Sequence, residues 1–451
     1  MNFMETLQSI NDFINGIVWG VPLLTLILAV GVFFTFRLGF LQFRYFGAML
    51  RRTVTRYRDP GEQGASGEVS SFQAAMTSVS AIVGSGNIAG VATALVCGGP
   101  GALFWMIVAA VIGMATKFAE ICLGMLWRKT MPDGSVQGGA MYYLADGLRQ
   151  KWLGVLFSVL VIPFAFVISA VVDTNTIATA LTEQFGVRPL PVGVTLAIIC
   201  GVVIFGGSKR VGRACELVAP FMGAAYILAG LVVIVLNIRL LPSALLQILE
   251  GAFAPRAVTG GAVGSVFVCM RYGVARGVYS NEAGLGTAAM VHSGAKVSHP
   301  IEQAIWGPVE VFFDTVVVCS ITALTIVMSG LWSDGKLDGA ALTMRAFEKM
   351  LPGQIGLYIC LGAVVLFGFS CLISYYVYAE RAAVYIFGEH SRLFVKLLWV
   401  VFILIGSVTT LGFAWDLADT FNGLMIIPNL IGIVLLNRQV LDSWNDYRKR
   451  L

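Results

Sequence analysis

Apolar segments punctuate the 451 residues at about 17–36, 72–98, 102–126, 153–181, 190–206, 217–236, 258–291, 305–330, 357–379, 394–414 and 420–437. A bilayer's hydrocarbon core is crossed by roughly 20 apolar residues in helical form. No backbone polar group can stay unpaired there, so such segments must be helices. The fold class expected is an all-α polytopic membrane protein with eleven transmembrane helices. Composition agrees, because 57% of residues are apolar and only 12% charged, roughly half the charged share of a soluble domain. That excludes an ordinary soluble enzyme, a disordered chain and a nucleic-acid binder.

Thirty Lys and Arg residues give a net charge of +5. They crowd alternate loops: Arg37 to Arg58, Arg128 to Lys151, Lys209 to Arg213, Lys296, Arg381 to Lys396, and the tail from Arg438. The intervening loops hold few, such as Arg188, Arg239, Arg256 and Lys336. Basic loops stay cytoplasmic. The expected topology is an N-terminus outside and a C-terminus in the cytoplasm, in the plasma (bacterial inner) membrane. The first basic residue is Arg37, so no signal-peptide n-region is expected. The eight cysteines form no Cys-x-x-Cys pair and read as small buried hydrophobes. His292, His299 and His390 read as lying between spans, which leaves no histidine-based catalytic or metal centre.

Two segments are interrupted. The second carries Gly84-Ser85-Gly86-Asn87 at its centre, and the seventh carries Ser280-Asn281-Glu282-Ala283-Gly284-Leu285-Gly286. Each glycine costs about 1 kcal/mol in a helix interior. Broken backbone at membrane depth is tolerated only where it lines a cavity or is packed in protein. One such break reads as close helix packing. Two breaks five spans apart cross the membrane in opposite directions, so spans 2–6 and 7–11 can form an inverted repeat. Paired broken helices mark transporter binding sites. The corresponding domain division is 1–70 (a peripheral N-terminal helix and basic loop), 71–256 and 257–437 (the two repeats), and 438–451 (a basic tail).

Gly84-Ser85-Gly86-Asn87-Ile88-Ala89-Gly90-Val91-Ala92 resembles the second-helix motif of the alanine or glycine:cation symporter family, also called the sodium:alanine symporter family. Gly98-Gly99-Pro100-Gly101 and the residues through Met106 resemble its downstream signature, and Arg276 to Gly286 its seventh-helix motif. The similarity runs from the first span to Ile426-Ile427-Pro428-Asn429-Leu430. The resemblance implies a leucine-transporter-type core of ten helices plus one N-terminal helix. It also implies a Na⁺-coupled carrier of a small neutral amino acid such as alanine or glycine.

Ionisable residues inside spans cost at least about 2.5–3.5 kcal/mol to insert and are functional candidates. Lys117 and Glu120, three apart on one helix face, read as a structural ion pair. Arg276 and Glu282 flank the second break, where Glu282 is expected to accept from exposed backbone N–H groups. Glu310 and Asp314 read as gate residues or as partners of Arg271 or Arg276. Asp173 stands, by resemblance, where the family usually has a substrate-facing glutamine. It can hold a substrate ammonium, join a cation site, bind a proton, or simply bond to Thr174 or Asn175. Cys371 and Tyr375 also depart from the family, on the side of the pocket that selects the substrate side chain.

The mechanism expected is Na⁺-coupled alternating access. The substrate carboxylate would meet the N–H groups of Gly84, Ser85, Gly86 and Asn87, with the Asn87 amide as a further donor. The ammonium would meet Asp173 and carbonyls of the broken seventh helix, with Tyr279, Cys371 and Tyr375 around the cavity and Asn281 in a structural or gating role. The resemblance places one Na⁺ between the Ser80, Val83 and Phe367 carbonyls and the Ser370 hydroxyl. No other cofactor or metal is expected, no catalytic residue, and no partner beyond substrate, Na⁺ and lipid; a monomer suffices. A proton-coupled carrier using Asp173 or Glu282 is the nearest alternative. A channel lacks a repeated filter, and an enzyme lacks a nucleophile–base pair within the spans.

Overall fold

The computed structural model describes residues 3–55, 67–131, 134–253, 266–409 and 412–450. It is helical throughout, apart from a two-residue strand pair, Lys129–Thr130 with Val136–Gln137. The principal helices, in chain order, are α1 (Phe3–Val18), α2 (Val21–Arg37), α3 (Ser71–Ile82), α4 (Val91–Gly98), α5 (Ala102–Leu126) and α6 (Lys151–Phe185). They continue as α7 (Pro189–Ile204), α8 (Gly207–Leu236), α9 (Val266–Asn281), α10 (Thr287–His292), α11 (Pro300–Ser329), α12 (Ile355–Phe387), α13 (Ser391–Val408), α14 (Gly412–Leu435) and α15 (Asn437–Tyr447).

Among the described residues, seven helices are long and apolar enough to cross a bilayer, and two bent pairs meet that test jointly, α1 with α2 and α3 with the chain through α4. Helix α7 is apolar but only 16 residues long. The start of the expected seventh span, 258–265, lies outside the described residues, as do Arg56, Arg58 and Arg256. Hydropathy does not single out α1, since only one of its faces is apolar. It packs on α14, where Trp19 Nε1 donates to the Asp419 carbonyl at 2.9 Å. Ile198, Val202, Leu228, Val235, Leu397 and Val401 are all exposed. An outward band of that kind suits lipid rather than water.

Local sequence explains where the helices start and stop. Ser70 and Gln73 form a reciprocal capping box at the start of α3, which satisfies two otherwise orphaned N–H groups. Pro189 and Pro300 stand at first helical positions, where a missing N–H costs nothing. Helix α5 packs against α2, α9, α10 and α11, and the 33-residue α12 packs against α3, α6 and α8. Both interrupted helices therefore lie between these two long elements.

Candidate substrate and ion site

Helix α3 stops at Val83, and the chain resumes in a wide helical turn, Gly86–Gly90, with a 45° bend. A Cβ on Gly84 would lie 2.3 Å from Cys371 Sγ, so only glycine allows this approach of backbone to α12. The Asn87 side chain staples the break: Oδ1 accepts from Gly84 N–H at 2.8 Å, and Nδ2 donates to Asp314 Oδ1 at 2.6 Å. Asn87, expected as a further donor to a substrate carboxylate, is engaged with protein in this structure. With Gly84 N–H also satisfied, the anion-attracting donors left at the break are those of Ser85, which stands against the Cys371 sulfur, and of Gly86.

Gly84, Ser85, Gly86, Asp173, Tyr279, Cys371 and Tyr375 all line one narrow cavity, together with Ala81, Ile82 and Ile168. It has room for about one water. A second cavity of similar size adjoins it, lined by Ser85, Asp173, Thr176, Val364, Phe367 and others. Asp173 and Ser85 line both. Asp173 ends a π-type stretch of α6, Phe166–Asp173, a distortion frequent at functional sites. Asp173 is 2% exposed. Its Oδ1 has no hydrogen-bond partner, and neither have Ser169 Oγ or Tyr279 Oη. Burying polar groups unpaired is costly, so this cluster is built to receive something.

Of the candidate Na⁺ ligands, Ser370 Oγ donates to the Phe367 carbonyl at 2.8 Å and to the Ser80 carbonyl at 3.2 Å. Three of the four therefore meet across α3 and α12. The fourth, the Val83 carbonyl, faces Cys371 Sγ at 4.0 Å. A set of neutral oxygens suits a hard monovalent cation, whereas the thiol suits softer metals.

The second break is filled. Asn281 ends α9, Glu282 adopts φ 56°, and Gly284 and Gly286 have φ 102° and 82°. Glu282 accepts from Thr287 Oγ1 at 2.7 Å, from Tyr378 Oη at 3.1 Å, and from Tyr375 Oη. Side-chain hydroxyls, not the expected backbone N–H groups, satisfy it. Lys117 Nζ donates to the Asn281 carbonyl at 2.8 Å, and Glu120 Oε1 accepts from Gly286 N–H at 3.2 Å. Asn429 donates to Glu120 and to the Gly284 carbonyl.

Lys117 does not pair with Glu120, as helix spacing suggested; it lies 3.3 Å from Glu310. Glu310 also stands 3.0 Å from His292 Nε2 and accepts from Ser78 Oγ at 2.8 Å. His292 is fully buried at the end of α10, which corrects its placement between spans. Asp314 accepts from Asn87, Ser280 and Thr315. Neither acid on α11 is recorded pairing with Arg271 or Arg276.

Arg276 instead forms a bidentate pair with Asp419, both bonds at 2.8 Å. Its guanidinium lies over Tyr279 and Trp415, whose rings are 5.7 Å apart. On one side of this lid is the narrow cavity. On the other is an open vestibule of about 400 Å³, lined by Glu183, Arg276, Asp338, Trp415 and Asp416 among others. Sequence reasoning missed Asp419 and Trp415 because the apolar window of the last span opens only at residue 420. Near the opposite end, Arg128 donates to the Ser293 and Ala295 carbonyls, and Arg381 to Met290 and Ser293.

A small polar cavity at a broken apolar helix, with the Arg276–Asp419 pair on one side, is the arrangement expected of a transporter. Solved structures share this fold. A structure of MhsT in complex with L-phenylalanine gives a TM-score of 0.56 at 15% identity, covering 84% of this chain and 96% of that one. A Na⁺-coupled sialic acid symporter gives 0.52 at 15%, covering 89% and 87%. These place the chain among leucine-transporter-type folds. The sodium:alanine symporter family model matches residues 4–451, and the chain belongs to that family. It is a transporter and not an enzyme. The sodium/alanine symporter AgcS of Methanococcus maripaludis is 40% identical over all of this chain and 99% of its own length. The probable sodium/glutamine symporter GlnT of Bacillus subtilis is 36% identical over 99% and 92%. An uncharacterised transporter of Haemophilus influenzae is 38% identical over 99% and 97%.

Proposed function

We propose that the chain is a Na⁺-coupled symporter that carries a small neutral amino acid, alanine- or glycine-like, into the cell by alternating access. The observation that carries this reading is the buried Asp173 carboxyl, whose Oδ1 has no hydrogen-bond partner, in a cavity walled by Gly84, Ser85 and Gly86. The substrate carboxylate sits at the N–H groups of Ser85 and Gly86, where the resumed helix begins and its dipole favours an anion. The ammonium sits on Asp173, with the free hydroxyls of Ser169 and Tyr279 at the same cluster. Na⁺ binds between the Ser80 and Phe367 carbonyls and the Ser370 hydroxyl, with Val83 drawn in as the site fills. The narrow cavity and the glycines around it favour a small zwitterion, and it must widen when the substrate enters.

Ion and substrate share one broken helix, so each strengthens the other's binding by the same factor. Release of the Arg276–Asp419 pair opens the vestibule side, while the cluster of Lys117, His292 and Glu310 holds the cytoplasmic side. Spans 2–6 and 7–11 act as the inverted repeats, residues 71–256 and 257–437, in an eleven-span arrangement with the N-terminus outside, in a bacterial inner membrane. A monomer contains the whole site.

The test is uptake of labelled L-alanine by proteoliposomes under an inward Na⁺ gradient against a K⁺ control, with unlabelled amino acids competing. Na⁺-dependent uptake that Asp173→Asn abolishes supports the reading. Uptake equal in K⁺ and driven by a pH gradient would assign Asp173 to a proton, the reading its unpaired oxygen otherwise favours.

A further inference from the structure

An apolar outer surface lies away from the cavity at the first break. Helices α7 and α13 pack together, yet leave between them an apolar groove of about 570 Å³, lined by Val194, Ile198, Val202, Phe205, Val400 and Leu404 among others. Val202 is 62% and Ile198 62% exposed. Two cations close one end. Lys396 Nζ lies 5.8 Å from the centroid of the Phe205 ring, and Arg210 Nη1 donates to the Val202 carbonyl at 2.8 Å.

Among the described residues, neither cation has a carboxylate at ion-pair distance. Their neighbour Arg392 takes both nearby acids, Glu380 and Glu389. Lys396 is half-buried, so its stem lies on apolar surface while its head stays at the groove's end. The helices here are also short. At 1.5 Å per residue, the 16 residues of α7 and the 18 of α13 span about 24 and 27 Å, against about 30 Å of hydrocarbon. A short pair draws its terminal cations to the hydrocarbon boundary.

We propose that this groove binds one anionic phospholipid, with an acyl chain along α7 and α13 and the phosphodiester between Lys396 and Arg210. The charge pattern selects the lipid class. A zwitterionic headgroup brings its own cation to a place that already holds two. The groove also has a route to the transport site. The α13 backbone at Gly406 accepts from Asn175 Nδ2 at 3.0 Å, two residues beyond Asp173 on α6. A Cβ on Gly406 would touch Ala170 and Val171 within 2.8 Å, so α13 and the Asp173 stretch are in direct backbone contact.

Native mass spectrometry of the full-length protein with equal phosphatidylglycerol and phosphatidylcholine tests this. Each cation is expected to contribute roughly fivefold to the preference for phosphatidylglycerol. The double variant Arg210→Gln/Lys396→Gln should bind the two lipids equally, while Arg438→Gln, on α15 away from the groove, should keep the preference. Gly201→Leu fills the groove, since its Cβ direction is open apart from Val400 at 3.9 Å. It should lower binding of both lipids without changing their ratio. Equal binding of the two lipids by the unmodified protein, a preference that survives the double variant, or full lipid retention in Gly201→Leu would each overturn the proposal.

Discussion

The two interrupted helices differ in how their freed backbone is treated. At the second break, side chains from α5, α12 and α14 reach the backbone or the acid beside it: Lys117, Glu120, Tyr378 and Asn429. At the first, Asn87 ties one turn and the rest faces cavities, with a carboxyl opposite that keeps one oxygen unpaired. Similar glycine-rich strings thus produce a rigid joint in one place and a receptive one in the other. The difference lies in the neighbours, because polar side chains bond into the second break, whereas the side chains around the first, Cys371, Tyr279, Tyr375 and Asp173 among them, line a cavity.

Substitutions can break this contrast. The largest effect is expected from Gly84→Ala, whose methyl would overlap Cys371 Sγ. Uptake should fall by about two orders of magnitude, comparable to losing a positioned binding group, while the protein still folds. Adding Cys371→Ala should return part of the activity, since Cys371 Cβ stands 3.9 Å from the new methyl. Failure of that rescue would mean that glycine is needed there for backbone freedom instead. Next, Glu282→Ala strands three hydroxyls, each worth about 1–3 kcal/mol when left unpaired in protein. Its thermal midpoint should drop steeply and more than that of Asp173→Asn, which loses transport with little loss of stability. Equal melting of the two variants would erase the distinction between joint and receptor.

Arg276→Lys keeps the charge but loses the two-pronged contact with Asp419. Initial uptake should fall roughly tenfold, with a loosened lid seen as faster substrate release on dilution. Ser370→Ala removes the hydroxyl and leaves the carbonyls. The Na⁺ concentration for half-maximal uptake should rise by about tenfold, a loss of one hydrogen-bond-sized interaction, and the competitor ranking should stay as it was. A changed ranking would place Ser370 against the substrate. The smallest effect belongs to Thr93→Ala, which loses an exposed 3.0 Å bond to Asp338 at the vestibule rim; uptake within about twofold of normal is expected for such a surface change.

Much of this was legible in the amino-acid order, because glycine strings and intramembrane charges are local signals. Asp173 stood out as a lone acid in an apolar run, and seven of the eight proposed substrate residues do line one cavity. Pairings were not legible. Spacing on a helix offers Glu120 to Lys117, but the partner is Glu310, on another helix brought alongside by tertiary packing. Glu282 likewise finds its donors on α12, nearly a hundred residues onward. His292 lay at the edge of a hydropathy window, where averaging cannot separate a buried helix end from a loop. Helix α1 was invisible for the same reason, as its polar face dilutes the average.

Helix α12 carries Phe367, Ser370, Cys371, Tyr375, Tyr378 and Arg381, spaced three or four residues apart except for the adjacent Ser370 and Cys371. All six therefore share one stripe of a stiff rod. From one end to the other, that stripe touches the proposed ion ligands, the narrow cavity at the first break, the acid of the second break and the backbone beyond α10. A small slide or roll of this rod is felt at every station at once, as on a camshaft. Occupancy at the ion end can then be timed against the closure at Arg381 without any signal passing through the loops.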